Sequence, residues 1–385
     1  MQALNKIKSR IFQKTTAKGQ DGKIDKSFLV LTLALALFGT VMVFTAGYAY
    51  AEKRYSDPNY FIIRQCIWLI IGIAVMCFAL RLDIRLVCKY TPHAYVLTLL
   101  LLMLTLAIGF TGNGAQRWIS LGPITLQPSE IAKLTMIMML SKYFSSLDFK
   151  SGKEKSFVHG TLFPGLIMLA PIILVMLQKH LSCIIILGLI GLLLIVMAGV
   201  GLKYIGGFTL LGALGVSYIA FFTDYTKDRI TVWLDPEAYK LTGGWQTLQG
   251  LMAIGSGGIF GKGLFQGELK YCYVSEPAND MIFAILCEEL GLIGAALALG
   301  LFALLIYRGC KIAHGTESTY ERLLCLGIIT KVATQTLLNV AVVTNTIPNT
   351  GISLPFFSYG GSSLVMLFFE MGLILSISRR ATIPK

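Results

Sequence analysis

Ten runs of apolar residues follow one another along the chain, separated by shorter polar segments. Each run is close to the ~20 residues that a helix needs to cross the hydrocarbon core of a bilayer. The pattern predicts an all-α polytopic membrane protein with about ten transmembrane helices and a large polar loop between spans seven and eight. The runs lie near residues 27–50, 60–80, 93–110, 129–146, 159–177, 181–200, 203–222, 279–306, 322–343 and 362–378.

The same pattern divides the chain into three parts. Residues 1–26 form a basic tail, residues 27–380 form a single ten-helix membrane domain that includes the 223–278 loop, and residues 381–385 form a short second tail. No small-residue cleavage site stands out after the basic tail, so the first run is expected to remain as an anchor.

Composition and charge support a membrane protein and give its orientation. Mean hydropathy is +0.71 and only 14% of the residues are charged, whereas soluble domains average nearer a quarter. Of the lysines and arginines outside the spans, 21 lie on the side of both termini and nine on the other side. The positive-inside rule places both termini in the cytoplasm and the 223–278 loop outside. No basic run is interleaved with aromatic residues, so nucleic acid binding is not expected.

The eight cysteines are scattered singly, with no Cys-x-x-Cys pair. Neither a disulfide framework nor a zinc site is predicted, and buried thiols are the expected state.

Polar residues gather in three outward-facing segments, of which the first is 112–133. Glu130 and Lys133 lie one helical turn apart at the start of the fourth span. Ionisable groups at this depth are costly to insert, so they normally face a cavity or each other. Two interpretations stay open: the residues line a cavity, or they form a structural pair that neutralises itself.

The second segment is the 223–278 loop, which holds nine glycines between Gly243 and Gly267. A phosphate-binding loop is excluded, because Ser256 stands where the first glycine is required and Gly263 follows Lys262 where Ser or Thr should bind magnesium. The glycines suit either a close approach to a ligand or a re-entrant segment needed for packing.

Asp280 lies where this loop enters the eighth span. A carboxylate at that position is partly desolvated, which raises its pKa and makes it a better proton acceptor near neutral pH. The alternative is that Asp280 caps the helix. At least one of Glu288 and Glu289, over two turns further on, is expected to point into the bundle.

The third segment, 344–363, has no lysine or arginine, and it suits either contact with a neutral sugar or a connecting role. Inside the bundle, Lys331, Gln335 and Asn339 recur at four-residue steps and predict a polar face on the ninth span. Such a face serves transport, proton transfer or helix association.

Four segments in these regions resemble the SEDS family, the bacterial shape, elongation, division and sporulation proteins that include FtsW, RodA and SpoVE. They agree in order and spacing, and the resemblance extends from about residue 27 to 380. The segments are QRWISLGPITLQPSEIAKL at 116–134, GWQTLQGLMAIGSGGIFGKGL at 244–264, NDMIFAILCEELG at 279–291 and NTGISLPFFSYGGSSL at 349–364. The last segment is more similar to the division and sporulation branch than to the elongation branch.

The resemblance implies a peptidoglycan glycosyltransferase in the bacterial cytoplasmic membrane, which polymerises lipid II into glycan strands on the outer face during division or sporulation. It also implies a single-pass class B penicillin-binding transpeptidase as partner, alongside other division proteins. The family's essential aspartate corresponds to Asp280. The remaining signature positions, taken as substrate-binding candidates, are Arg117, Lys133, Lys262, Gln246, Gln249, Glu276, Glu289 and Ser358.

Four residues in three places depart from the family pattern. Ala278 replaces a common histidine, so a histidine at this position is not required for the chemistry. Lys179 and His180 stand where family members often have Pro-Asp, which removes that aspartate. Glu370 in the last span is unusual and has no assigned role.

The implied mechanism uses Asp280 as general base. It takes the proton from the 4-hydroxyl of the acceptor sugar as that oxygen attacks the anomeric carbon of the donor. Arg117, Lys133 and Lys262 are the candidates to stabilise the departing lipid pyrophosphate. A divalent cation, Mg²⁺ or Mn²⁺, could share this role, although no cluster of ligands requires a metal.

Two other functions remain as alternatives. A lipid II flippase or other transporter would use the polar face of the ninth span as its pathway. A non-catalytic scaffold would only recruit the penicillin-binding transpeptidase.

Overall fold

The computed structural model describes residues 22–112, 115–121, 124–147, 157–201, 206–207, 224–271 and 273–382. It is a helical bundle with one small sheet. The elements in chain order are α1 Lys26–Tyr55, α2 Tyr60–Arg81, α3 Ile84–Ile108, β1 Phe110–Gly112, β2 Ala115–Leu121, β3 Ile124–Leu126, α4 Pro128–Ser146, a π-helical turn Phe157–Leu162 that continues into α5 Phe163–Leu177, α6 Leu181–Met197, α7 Asp224–Leu234, α8 Gly244–Gly257, α9 Ile282–His314, α10 Thr319–Val343 and α11 Gly361–Ser378.

The helical membrane fold agrees with the hydropathy pattern. Seven of the described helices are long and apolar enough to span a membrane, namely α1, α2, α3, the combined helix 157–177, α9, α10 and α11. The shorter apolar helix α6 and the less apolar helix α4 match two further predicted spans. The predicted seventh span, 203–222, lies outside the described residues except for Gly206 and Gly207, as do most of the 1–26 tail and residues 383–385.

Charged residues fix the helix ends on one side of the bundle. Asp25 caps α1 by accepting from the Phe28 amide at 2.9 Å, and its carboxylate also pairs with Arg308 near the end of α9. Asp83 caps α3 in the same way and pairs with Arg380 after α11 at 2.9 Å. This cap explains why α3 begins at Ile84, well before the apolar run that predicts it.

Helix α10 lies at the centre of the bundle, where it packs against α4, α6, α9 and α11. Two thirds of the residues in its most apolar 18-residue stretch are buried inside the protein. Lys331, Gln335 and Asn339 are all buried, which confirms that the polar face of the ninth span points into the bundle.

Residues 110–126, to which the hydropathy pattern assigns no secondary structure, form a three-stranded antiparallel sheet. Strand β2 is central, with Phe110 opposite Trp118 on one side and Ile119 opposite Leu126 on the other. The turn-forming pairs Asn113-Gly114 and Gly122-Pro123 flank β2 in the sequence, which is the arrangement expected of short hairpins.

Helix α9 is broken at Gly291, whose φ of 65° lies in the left-handed region. The glycine-rich loop fills the gap: the amides of Lys262 and Gly263 donate to the carbonyls of Glu288 and Glu289 at 3.0 and 2.9 Å, and those of Leu292 and Ile293 donate to the loop in turn. A Cβ on Gly257, Gly261 or Gly291 would collide with the opposing backbone. These three glycines therefore serve packing, as in the re-entrant interpretation.

Candidate active site around Asp280

Asp280 lies in the last turn before α9, and its backbone is attached to neighbouring elements on both sides. The Tyr359 amide donates to the Ala278 carbonyl at 2.8 Å, and the Ser358 hydroxyl donates to the Asn279 carbonyl at 2.8 Å. The side chain of Asn339 donates to the Asp280 carbonyl at 3.0 Å. Met281, not Asp280, is the N-cap residue of α9, so the capping interpretation is wrong.

The carboxyl group of Asp280 has a strongly raised pKa, as its position in the sequence predicts. Burial is the main cause that raises the pKa to about 6; the nearby carboxylate of Glu276 also raises it, while Arg229 and Arg117 act in the opposite direction. The side chain is nevertheless partly exposed. At neutral pH it is therefore mostly ionised and still basic enough to accept a proton efficiently.

Glu276 is held beside Asp280 by a tight turn. Its φ of 53° is left-handed, and its carboxylate accepts from the side-chain amide of Asn279 at 2.6 Å. This predicted substrate-binding residue therefore belongs to the surroundings of Asp280, where its negative charge opposes ionisation of the base.

Two arginines act electrostatically on Asp280, and sequence reasoning identified one of them. Arg117 projects from β2 and donates to the Lys179 carbonyl at 2.9 Å. Arg229 lies on α7 and donates to the Asn349 carbonyl. In the sequence Arg229 is only one of nine basic residues on the side that is expected to face outward, and its nearness to Asp280 arises from tertiary packing alone.

Lys133 is not available as an unpaired cation in the structure. It is buried, and its ammonium lies 2.6 Å from the carboxylate of Glu130, which is the self-neutralising pair considered above. Lys331 approaches the other oxygen of Glu130 to 3.8 Å and pairs with Glu370 at 2.7 Å. Glu370 thus has a partner on the polar face of α10.

His180 lies close enough to Arg117 and Lys133 for their charges to act on it. Burial is the main cause that lowers the pKa of His180 to about 3, and the two cations lower it as well. The imidazole is therefore neutral and supplies no positive charge to this part of the site.

Lys262 and Glu289 lie apart from Asp280. The first two turns of α9 place Glu289 about 12 Å along the helix axis from Met281. Lys262 pairs with Glu288 at 3.1 Å, and Glu289 pairs with Lys270 at 2.5 Å. Both glutamates are fully buried. These pairs attach the glycine-rich loop to α9, and nothing in their geometry directs them towards Asp280.

The other three predicted substrate-binding residues lie closer to Asp280. Gln246 and Gln249 are on α8, which passes beside Met281 at Gly250, and Gln249 is buried. Ser358 accepts from the Leu354 amide at 2.7 Å while donating to Asn279. Its hydroxyl is therefore engaged in holding the chain that carries Asp280.

A polar cleft lies beneath the 353–358 loop, between α4, α10 and α11. Its polar lining consists of Glu130, Lys331, Gln335, Ser353, Ser358 and Ser363. Within the described part of the chain, no group of three or more His, Cys, Asp or Glu side chains could hold a metal ion. The seven described cysteines form no disulfide.

Comparison with known proteins places this chain in a family. Residues 25–383 match the FtsW/RodA/SpoVE family model, described as cell cycle protein. The chain is 36% identical over 361 residues to a probable peptidoglycan glycosyltransferase FtsW of Geobacter metallireducens, covering 93% of this chain and 95% of that protein. It is 37% identical over 358 residues to stage V sporulation protein E of Bacillus subtilis, covering 92% and 97% respectively.

Solved structures give the same result. One chain of a peptidoglycan synthase complex, described as coordinating polymerization and crosslinking, superposes with a TM-score of 0.76 and 26% identity, covering 92% of this chain and 98% of that one. The rod shape determining protein RodA of Thermus thermophilus superposes with a TM-score of 0.69 and 25% identity, covering 94% and 98%. The chain therefore belongs to the FtsW/RodA/SpoVE family of cell cycle proteins.

Proposed function

We propose that this protein is a peptidoglycan glycosyltransferase that polymerises lipid II during division or sporulation. One observation carries the proposal: Asp280 is a partly buried carboxylate with a pKa of about 6, at the end of a membrane helix and within reach of the charges of two arginines. The names of the FtsW and sporulation relatives support this activity and this branch of the family.

In the proposed reaction, Asp280 accepts the proton of the acceptor sugar's 4-hydroxyl while that oxygen attacks the anomeric carbon of the donor. The new glycosidic bond forms as the bond to the lipid pyrophosphate breaks. Arg117 and Arg229 are placed to stabilise the charge that develops on the pyrophosphate. Lys133 and Lys262 suit this role less well, because each is already paired with a glutamate.

The site faces the outside of the cytoplasmic membrane in this proposal, and both termini face the cytoplasm. The excess of basic residues on the side of the termini supports this orientation. The Asp25–Arg308 and Asp83–Arg380 pairs lie on that same side, opposite to Asp280 along their helices.

Partners and a metal ion belong to the proposal as well. A class B penicillin-binding transpeptidase and other division proteins are the proposed partners, which the similarity to a chain of a peptidoglycan synthase complex supports. Asp280 and Glu276 supply two carboxylates, fewer than the full ligand set of Mg²⁺ or Mn²⁺, so a divalent ion would need oxygen ligands from the substrate or water.

The ion pair and hydrogen bonds of α10 argue against the transport alternative. Lys331 is paired with Glu370, and Asn339 donates to two backbone carbonyls. Two of the three polar residues of this face are thus engaged in contacts within the protein.

The test is polymerisation of fluorescent lipid II by the purified protein, alone and with its transpeptidase partner. A ladder of glycan products on a gel is the expected result. If no ladder forms in either case and labelled lipid II crosses the bilayer of proteoliposomes, the transport function replaces the proposed one. If neither polymerisation nor transport occurs, the scaffold function replaces the proposed one.

The rate of polymerisation is expected to depend on pH through Asp280. The base must be ionised, so the rate should fall about tenfold per unit below a pH of about 6 and level off above it, as the raised pKa requires. Initial rates measured in the gel assay would check this, with size-exclusion profiles at each pH to confirm that the protein stays folded. A constant rate across this range would contradict the assignment.

A further inference from the structure

Asn339 joins the backbone beside Asp280 to a loop distant in sequence. It lies on α10 with no exposed surface, and its side-chain nitrogen donates to the Asp280 carbonyl at 3.0 Å and to the Ile352 carbonyl at 2.7 Å. Backbone carbonyls only accept hydrogen bonds, so the NH₂ group must face them. The amide oxygen of Asn339 has no partner among the described residues. The orientation of this side chain is thus determined by the two carbonyls.

The loop that contains Ile352 is itself fixed to the rest of the protein. Three of its carbonyls accept hydrogen bonds from side chains of α6 and α7, two elements that do not carry Asp280. These bonds run from Trp233 to Asn345 at 2.9 Å, from Arg229 to Asn349 and from Ser182 to Thr350. Asn339 therefore attaches Asp280 to an immobilised segment.

The same loop forms a wall beside the carboxylate. Gly351 has a φ of +70°, and a Cβ built on it would lie 3.1 Å from the Oδ2 atom of Asp280. Only glycine combines this backbone conformation with room for the carboxylate. The position of residues 349–352 relative to Asp280 therefore determines how the carboxylate is enclosed.

We propose that Asn339 is a positioning residue for glycan polymerisation: its side-chain amide holds Asp280 and the 349–352 loop in register, so that the carboxylate is presented to the acceptor hydroxyl. This rests on the proposed function, in which Asp280 reacts with substrate. A role in helix association alone does not account for the contacts, because both donated hydrogen bonds go to backbone outside the helices.

The variant Asn339→Leu tests the proposal, since leucine has nearly the same size and no donor. The turnover rate at saturating lipid II is expected to fall about 10- to 100-fold, as a reacting group displaced by about 1 Å requires, with KM changed less than about threefold. The matched control is Thr336→Val, one turn earlier on α10, where the hydroxyl donates only within its own helix. The control is expected to keep the wild-type rate.

A second readout follows the carboxyl group itself. Its titration is obtained from the infrared difference between wild type and Asp280→Asn, with no turnover required. A carboxylate released from the loop is better hydrated, so in Asn339→Leu it should titrate at lower pH than in the wild type. Glu276, Arg229 and Arg117 also act on the carboxyl group, and all three residues are present in both proteins of this comparison.

The outcomes separate the two proposals. If Asp280→Asn retains activity, the proposed function fails, while the infrared titration of Asn339→Leu still tests positioning. If Asn339→Leu titrates and turns over like the wild type, positioning by Asn339 is wrong. If it does not fold, Asn339→Gln keeps the amide but moves it by one methylene, and an unchanged rate and titration in that variant would overturn the proposal equally.

Discussion

Polymerisation of lipid II is expected to fall by about 10²- to 10⁴-fold when Asp280 is replaced by Asn, the range that a general base contributes. Asparagine has the same shape but cannot accept the proton of the acceptor hydroxyl. The initial rate of glycan formation, measured on gels with equal amounts of purified protein, gives the result directly.

Unfolding does not explain such a loss. In the folded protein the pKa of Asp280 is raised from 3.8 to about 6, so the folded state binds this proton more tightly than the unfolded chain. The ionised side chain therefore weakens the fold progressively as pH rises between these two values, and that cost is fully present at pH 7. Because asparagine removes this cost, the melting temperature of Asp280→Asn should be no lower than that of the wild type.

A matched control is available on the segment that leads to Asp280. Asp235 is exposed and accepts from the Ala238 amide at 3.1 Å, a contact that asparagine can keep. Asp235→Asn is expected to polymerise lipid II at the wild-type rate. Wild-type activity in Asp280→Asn would remove Asp280 from the mechanism.

The second large effect concerns stability and the pair between Lys331 and Glu370. Both side chains are buried, at 2.7 Å from each other. In Lys331→Met the carboxylate of Glu370 loses its hydrogen-bonded partner, and breaking a buried pair in this way costs about 3–5 kcal/mol. The free energy of unfolding in detergent should decrease by this amount.

The double variant Lys331→Met with Glu370→Met is expected to recover most of the loss, because it removes both charges together. Glu130 keeps Lys133 as its partner in that variant. Glu268→Gln is the control for an exposed contact, since Glu268 is 82% exposed and lies 3.8 Å from Lys262, and it should change stability by less than about 1 kcal/mol. If the free energy of unfolding of the double variant falls by the sum of the losses in Lys331→Met and Glu370→Met, the two side chains are not coupled.

Most of the helical frame could be predicted from sequence, because a helix that crosses the bilayer needs a long run of apolar residues. The apolar run at 60–80, for example, corresponds to helix Tyr60–Arg81. The small sheet was not predicted, because strands of three to seven residues carry little hydropathy signal.

The site could be predicted in part, for the same physical reason. The position of Asp280 at the entrance of a span already indicates desolvation, and the structure agrees. Partners, in contrast, lie on other helices. The spacing of Lys331 and Asn339 identifies a buried face, but it cannot indicate that Glu370 pairs with one residue and the Asp280 carbonyl with the other. The nearness of Arg229 to Asp280 was not predicted for the same reason.

The broken helix α9 has a consequence for how the protein is made. Backbone groups on both sides of Gly291 find their hydrogen-bond partners in residues 258–263, which are synthesised earlier. Unpartnered backbone is too costly in hydrocarbon for this part of the helix to insert alone. These loop residues must therefore fold before or together with this part of α9. We therefore expect substitution of Gly257 or Gly261 to impair membrane insertion of α9, because a Cβ at either position would collide with its backbone.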